Sequence, residues 1–205
     1  MVGSAPELPE GDTKSRILAV ALDRFAEHGY SGTSLNTIAD DVGIRRPSLL
    51  HHFPSKDALY RAVVLQSFDD WSALVGTSID DEQGWPQVEH VLRTAFSYFE
   101  KKPVFVRLAR REALDGGPVL IEELGATLQP MFDAAVSFLE SEMDAGRIRR
   151  YDAAQLVITA YGAVLSYLSD TPLIQTLTGK DPLSPAALDE RRDHVLDVLR
   201  NALLP

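Results

Sequence analysis

The chain of 205 residues contains no cysteine. Disulfides and cysteine-ligated metals are therefore excluded, and a reducing cytoplasm is the expected compartment. Long apolar runs are also missing. A run such as "AVV" at 62–64 falls far short of the roughly 20 apolar residues a membrane span needs. The opening "MVGSAPELPEGD" has neither a basic start nor an apolar stretch, so no secretion signal is expected. No alternating strand pattern, internal repeat, low-complexity tract or Gly-rich phosphate loop is visible. An overall basic charge is lacking as well. The net charge of -10 argues against nonspecific affinity for nucleic acid. What the chain does have is 45% hydrophobic residues, enough for a real core.

The acidity is not spread evenly. Residues 1–11 carry two acids and no base, residues 12–60 carry six of each, and residues 61–205 carry 14 bases and 22 acids. Within the neutral segment, residues 42–56 hold Arg45, Arg46 and Lys56 and no acid. The stretch "IRRPSLLHHFPSK" (44–56) thus concentrates adjacent cations and adjacent imidazoles in an otherwise acidic protein.

Periodicity predicts an all-α chain of about nine helices. In "RILAVALDRFAEHG", Ile17, Leu18, Ala21, Leu22, Phe25 and Ala26 fall at helical spacing, and Gly29 is expected to end the helix. Thr33 or Ser34 should cap a short helix carrying Leu35, Ile38, Ala39 and Val42, with Gly43 as its stop. A third short helix starts near Arg46 and cannot pass Phe53, because Pro54 disfavours helical geometry before it. Ser55 should cap a long helix whose apolar face changes. Leu59, Ala62 and Val63 form one stripe; Phe68, Trp71, Leu74 and Val75 form another. Such a helix is expected to join two bodies. Further helices are predicted at about 85–101, 103–114, 118–145 (with a kink at Pro130), 153–169 and 184–203, and a turn at Gly116–Gly117. The expected organisation is a mobile tail (1–11), a helix-turn-helix domain (12–60) and a larger helical domain (61–205).

Three chemistries compete for residues 44–56. A metal site fits poorly, because His51 and His52 project about 100° apart on a helix and no other histidine has ligand-like spacing to them. A catalytic site fits poorly too. Ser48, His51 and Asp57 are triad residue types, but no strained nucleophile turn accompanies them. No metal, cofactor or enzyme activity is expected. The third reading is a surface for a polyanion. Two short helices joined through Gly43, each with one apolar face, match a helix-turn-helix. Leu35, Ile38, Ala39, Val42, Ile44 and Leu49 would hold the pair together, leaving Arg45, Arg46, Ser48 and His51 on the outer side. A helix fits the DNA major groove, where arginine binds guanine edges bidentately. The bland alternative is a solvated face on an ordinary helix bundle.

Residues 14–64 carry two strings, "ILAVALDRFAEHGYSGTSLNTIADDVGI" and "SLLHHFPSKDALYRAVV". They resemble the DNA-binding domain of TetR-family transcriptional regulators, whose pattern is F-x-x-x-G-Y/F, a Thr-capped helix with I-A, then L-Y-x-H-F-x-x-K-x-x-L. The resemblance implies a homodimer that binds a palindromic double-stranded operator as a repressor and is released by a small-molecule effector of unknown identity. The alternative is an all-α small-molecule binding protein with a vestigial helix-turn-helix. By position, Arg46, Ser48 and His51 correspond to recognition-helix contacts, and Thr33 and Lys56 to phosphate contacts; Ser34, Asn36 and Arg45 complete the expected DNA surface. His52 and Phe53 look structural. Two departures stand out: Arg45 replaces a small polar cap, and Leu50 replaces a tyrosine, so Leu50 either meets a thymine methyl or turns inward.

For the effector, the aromatic and apolar positions Phe68, Trp71, Phe96, Phe99, Phe105, Leu108, Met131 and Phe132 are the expected pocket, with plain core as the competing reading. Arg107, Arg110 and Arg111 either meet an anionic effector or face water. For the dimer, the helices at 153–169 and 184–203 are expected to form a four-helix bundle with their copies through Leu156, Ala160, Ala163, Val164, Leu188, Val195, Leu199 and Ala202.

Overall fold

A computed structural model describes residues 12–77, 82–115 and 125–205. The tail at 1–11, the turn at Gly116–Gly117, the start of the helix expected from 118, and the side chain of Val75 lie outside the described residues. Among those described there are ten α-helices and no strand: α1 (Thr13–Gly32), α2 (Leu35–Val42), α3 (Arg46–His52), α4 (Lys56–Thr77), α5 (Trp85–Glu100), α6 (Pro103–Asp115), α7 (Gly125–Asp144), α8 (Ala153–Ser169), α9 (Thr171–Thr178) and α10 (Pro185–Leu203). None is long and apolar enough to cross a membrane. α9 is the helix that periodicity does not show. It buries no residue: its short apolar stripe, Leu173, Ile174 and Leu177, stays largely in water, and its other marks are Pro172 near the start and Gly179 in the left-handed region at the end.

Local chemistry sets the boundaries. Asp12 caps α1 by accepting the Ser15 N–H at 2.8 Å. Gly29 breaks α1 with φ 71° and ψ 176°, a backbone state open to glycine alone, and a short turn follows to Gly32. Ser34, not Thr33, caps α2 through the Thr37 N–H. Gly43 ends α2 in the left-handed region, and the Ile44 N–H reaches back to the Ala39 carbonyl at 2.9 Å. Ser55 caps α4 through the Ala58 N–H at 3.0 Å.

α1, α2 and α3 close on a small core in which Ile17, Ala21, Phe25, Ile38, Val42 and Leu49 are fully buried. α4 is the expected joint. Leu59, Val63 and Val64 are buried near its start, and Phe68, Trp71 and Leu74 pack further along. The joint is broader than the sequence suggests, because α1 packs more extensively on α6 than on any other helix. In the larger part, α8 lies against α5, α6 and α7, and α10 lies on α5. Glu142 fastens α7 to α5: it accepts the Gly84 N–H at 2.7 Å and pairs with Arg147 through two hydrogen bonds.

Candidate nucleic-acid interface

The α2–α3 pair owes its outward face to its inward one. Leu35, Ile38, Ala39 and Val42 of α2 and Leu49 of α3 are buried, which leaves the other faces in water. Arg45, Arg46, Ser48 and His51 are all exposed on or just before α3, and Ser34 and Asn36 are exposed on the start of α2. None of the described residues forms an ion pair or side-chain hydrogen bond with Arg45, Arg46 or His51. The nearby acids are engaged differently: Asp41 pairs with Arg24 at 2.6 Å, and Asp57 with Arg61 at 3.0 Å. The cations of α3 are therefore unspent.

Lys56 begins α4, where first-turn N–H groups favour anions. Its ammonium sits 4.4 Å from the centroid of the Tyr30 ring, which fixes the long side chain beside the α2 start. His51 and His52 stand edge to face, with centroids 5.7 Å apart. Among the described residues no cluster of three metal-ligating side chains exists.

Thr33 and Leu50 sit deeper than the rest of this surface. Thr33 is 5% exposed, and its hydroxyl shares its one proton between the carbonyls of Gly29 at 2.8 Å and Arg24 at 3.0 Å. Its side chain is engaged at the Gly29 corner. Leu50 is half-buried against the core, so it turns inward.

Behind the surface runs a set of contacts that motif reading missed. Tyr60 of α4 packs edge-on against Phe25 at 4.8 Å and Tyr30 at 5.0 Å. Its hydroxyl bonds the buried Glu112 of α6. The neighbouring Arg111 donates to the Glu27 carbonyl at 3.3 Å, against the Gly29 corner. Arg111, half-exposed, is thus engaged at this corner. The F-x-x-x-G spacing marks the corner in the sequence, but nothing there marks its partners on α6.

Several of the residues expected to line an effector pocket pack against one another. Phe68 meets Phe105 at 5.0 Å, Trp71 meets Phe99 at 4.6 Å, and Phe99 stacks near Phe105 at 6.0 Å. Phe96 and Leu108 are buried, and Met131 and Phe132 are half-buried on α7. Of the eight, only Phe105 lines the open cleft described below. Of the residues expected at a dimer face, Val164, Val195 and Leu199 are 3%, 5% and 8% exposed, largely buried within their own chain. Leu156, Ala160, Ala163, Leu188 and Ala202 are half-buried.

Residues 17–63 match the family model "Bacterial regulatory proteins, tetR family", and residues 86–199 match "Tetracyclin repressor-like, C-terminal domain". The chain belongs to the TetR family. It is a helix-turn-helix transcriptional regulator of a non-enzymatic family. Over 192 residues it is 27% identical to the HTH-type transcriptional regulator RutR of Escherichia coli K12, covering 94% of this chain and 91% of RutR. In fold it is similar to the ketosteroid transcriptional regulator KstR2 of Mycobacterium tuberculosis. That match has a TM-score of 0.77 and 18% identity, and covers 97% and 98% of the two chains. It is also similar to AibR, solved in complex with isovaleryl coenzyme A and operator DNA, with a TM-score of 0.75, 16% identity, and 91% and 97% coverage.

Proposed function

We propose that this TetR-family protein is a repressor that binds an inverted-repeat operator as a two-fold dimer and is released by a small-molecule effector. The observation that carries the DNA part is the unspent cationic face of α3. Arg46, Ser48 and His51 read base edges, Arg45 and Lys56 meet phosphates, and Ser34 and Asn36 flank them. A net-acidic remainder repels the backbone elsewhere, which confines binding to this face.

The dimer is supported by apolar side chains left in water on two adjacent helices. Ile158 and Tyr161 on α8 are 50% and 47% exposed, and Val198 on α10 is 50% exposed. Arg191 of α10 ties the two helices together by donating to the Ala163 carbonyl at 2.9 Å. The outer edges of α8 and α10 thus form the partner-facing surface, beside the positions the sequence pointed to. The domain division at about residue 60 belongs to the same reading, with α4 shared between the halves.

Footprinting and gel shifts on the gene's own upstream DNA test it. The expected footprint is symmetric. Arg46→Ala should relax preference at particular base pairs by about 1–3 kcal/mol. Lys56→Ala should weaken all sequences alike and reduce the salt slope by about one. An asymmetric site, or an unchanged sequence profile in Arg46→Ala, overturns the assignment.

A further inference from the structure

Two open cavities are neighbours, sharing two lining residues. The first, about 400 Å³, lies in the seam between α1 and the α4–α5–α6 part. Leu18 and Leu22 of α1, Val63 of α4, and Val104 and Phe105 of α6 give it apolar walls. The second, about 450 Å³, runs along α5 and shares Tyr98 and Lys101 with the first. Its polar lining is His90, Arg93, Thr94, Ser97 and Lys101, spaced three or four apart on one helix face. No carboxylate lines it. Each volume falls within the usual range for small-molecule sites.

The charges along this groove are not equally available. Lys102 is spent on Asp70 at 3.1 Å and the Tyr98 hydroxyl at 3.2 Å. Arg93 is shared with Glu89 at 2.8 Å, and more loosely with Asp193 at 4.0 Å. Lys101 has a neutral partner, the Ser97 hydroxyl at 3.0 Å, and no acid. His90 forms no ion pair or hydrogen bond with the described residues. Asp23, on the α1 wall of the seam, lies in the field of Arg107. One end of the groove is therefore mainly apolar, though Asp23, Gln66 and Asp70 also line it, and the other offers donors and the cation of Lys101 without a carboxylate in its lining.

We propose that this joined groove binds an amphipathic anion, with its apolar tail in the α1–α4–α6 seam and its carboxylate or phosphate head on the α5 stripe of His90, Arg93 and Lys101. The proposal deepens the effector part of the reading above, and places the site beside the expected aromatic residues, of which it shares Phe105. A tail in the seam touches α1 on one side and α4 and α6 on the other. Its occupancy is thereby linked to how the reading helices sit on the larger part, to the extent that it binds two arrangements unequally.

Isothermal titration with four ten-carbon probes, each below its micelle-forming concentration, tests the site on the whole protein. Decyl phosphate and decanoate should bind about 10-fold or more tighter than decanol and decyltrimethylammonium, and the order of the two anions identifies the head. Lys101→Glu should remove that preference. Ala19→Phe, on the α1 wall, should weaken every tail. Should Ala19→Phe disturb the fold, Gln66→Cys supplies the second measurement, because the chain has no other thiol. Decanoate should then slow alkylation of that cysteine, and decyltrimethylammonium should not. Equal binding of cation and anion, unchanged anion binding in Lys101→Glu, or no protection of the cysteine overturns the proposal. The titration contains no DNA, so its failure is distinct from failure of the operator test.

Discussion

The two ends of the chain finish their cores to different degrees. In α1–α3, six side chains from Ile17 to Leu49 are wholly buried, and the exposed side chains of α2 and α3 are almost all polar or charged. In α7, α8 and α10, many apolar side chains are only half covered, among them Leu128, Val136, Phe138, Leu156 and Val157. Ile158, Tyr161 and Val198 stand about half in water. The reading end leaves a polar, cationic face on α2 and α3, although Leu18, Val20, Leu22 and Leu50 are half-buried there too. The larger end leaves apolar surface in water on α8 and α10, the surface proposed above to meet a second copy.

Cavity-forming substitutions sharpen this contrast most. Phe25 is fully buried and touches both Tyr30 and Tyr60. Phe25→Ala should cost about 3–5 kcal/mol, measured by urea denaturation. Phe138 already has part of its ring in water, so Phe138→Ala should cost less than half as much. Equal losses would mean that the larger part is as tightly packed as the reading end, and the contrast would fall.

A charge on the outer edge tests why the contrast exists. Tyr161→Glu places a carboxylate where a partner would bury it, on a side chain already 47% exposed in one copy. The monomer should fold unchanged, while the dimer should weaken by about 2–3 kcal/mol, which is in the range of a central interface residue. Analytical ultracentrifugation reads this as monomers at micromolar concentration. Leu199→Glu should behave differently and unfold the chain, because Leu199 is only 8% exposed. A Tyr161→Glu protein with wild-type association would show that the exposed apolar edge of α8 is not where copies meet.

The sequence made the reading end legible because three kinds of local signal agree there. Apolar spacing names Ile17, Phe25 and Ile38; Ser34, Gly43 and Ser55 punctuate the helices; and the motif spans the whole unit. The residues around Thr33 show the limit. A capping residue type at a helix start reads as a phosphate contact, but a neighbour's backbone, bent at Gly29, claims the hydroxyl. In the larger part, period alone cannot tell which of two apolar faces is inside. Leu199 and Val198 are adjacent in sequence, yet one packs on its own chain and the other faces water. The aromatic residues of α4, α5 and α6 show the same ambiguity, since side chains of the type that line a pocket also fill one. Arg111, Glu112 and Glu142 act through partners 52 to 84 residues away, which no local pattern encodes.

The smallest expected effect concerns how the larger part is fastened without a partner. The Glu142 carboxyl is held below the ordinary glutamate pKa of 4.5, first by hydrogen bonds from Arg147 and further by the Gly84 N–H, against an opposing effect of burial. A carboxyl lowered in the folded state gives stability that is fully present above the unfolded value. That stability is lost as the pH falls below about 4.5 through the lower folded value. Glu142→Gln keeps the shape and one acceptor oxygen but removes the charge. At neutral pH it should destabilise the protein by less than either substitution above. Its stability should also fall less steeply than wild type as the pH drops below 4.5, so that the two curves converge in acid. Denaturant melts at a series of pH values measure this. Parallel curves would mean that Glu142 ties α7 to α5 by shape alone, and that acid weakens the larger part through other carboxyls.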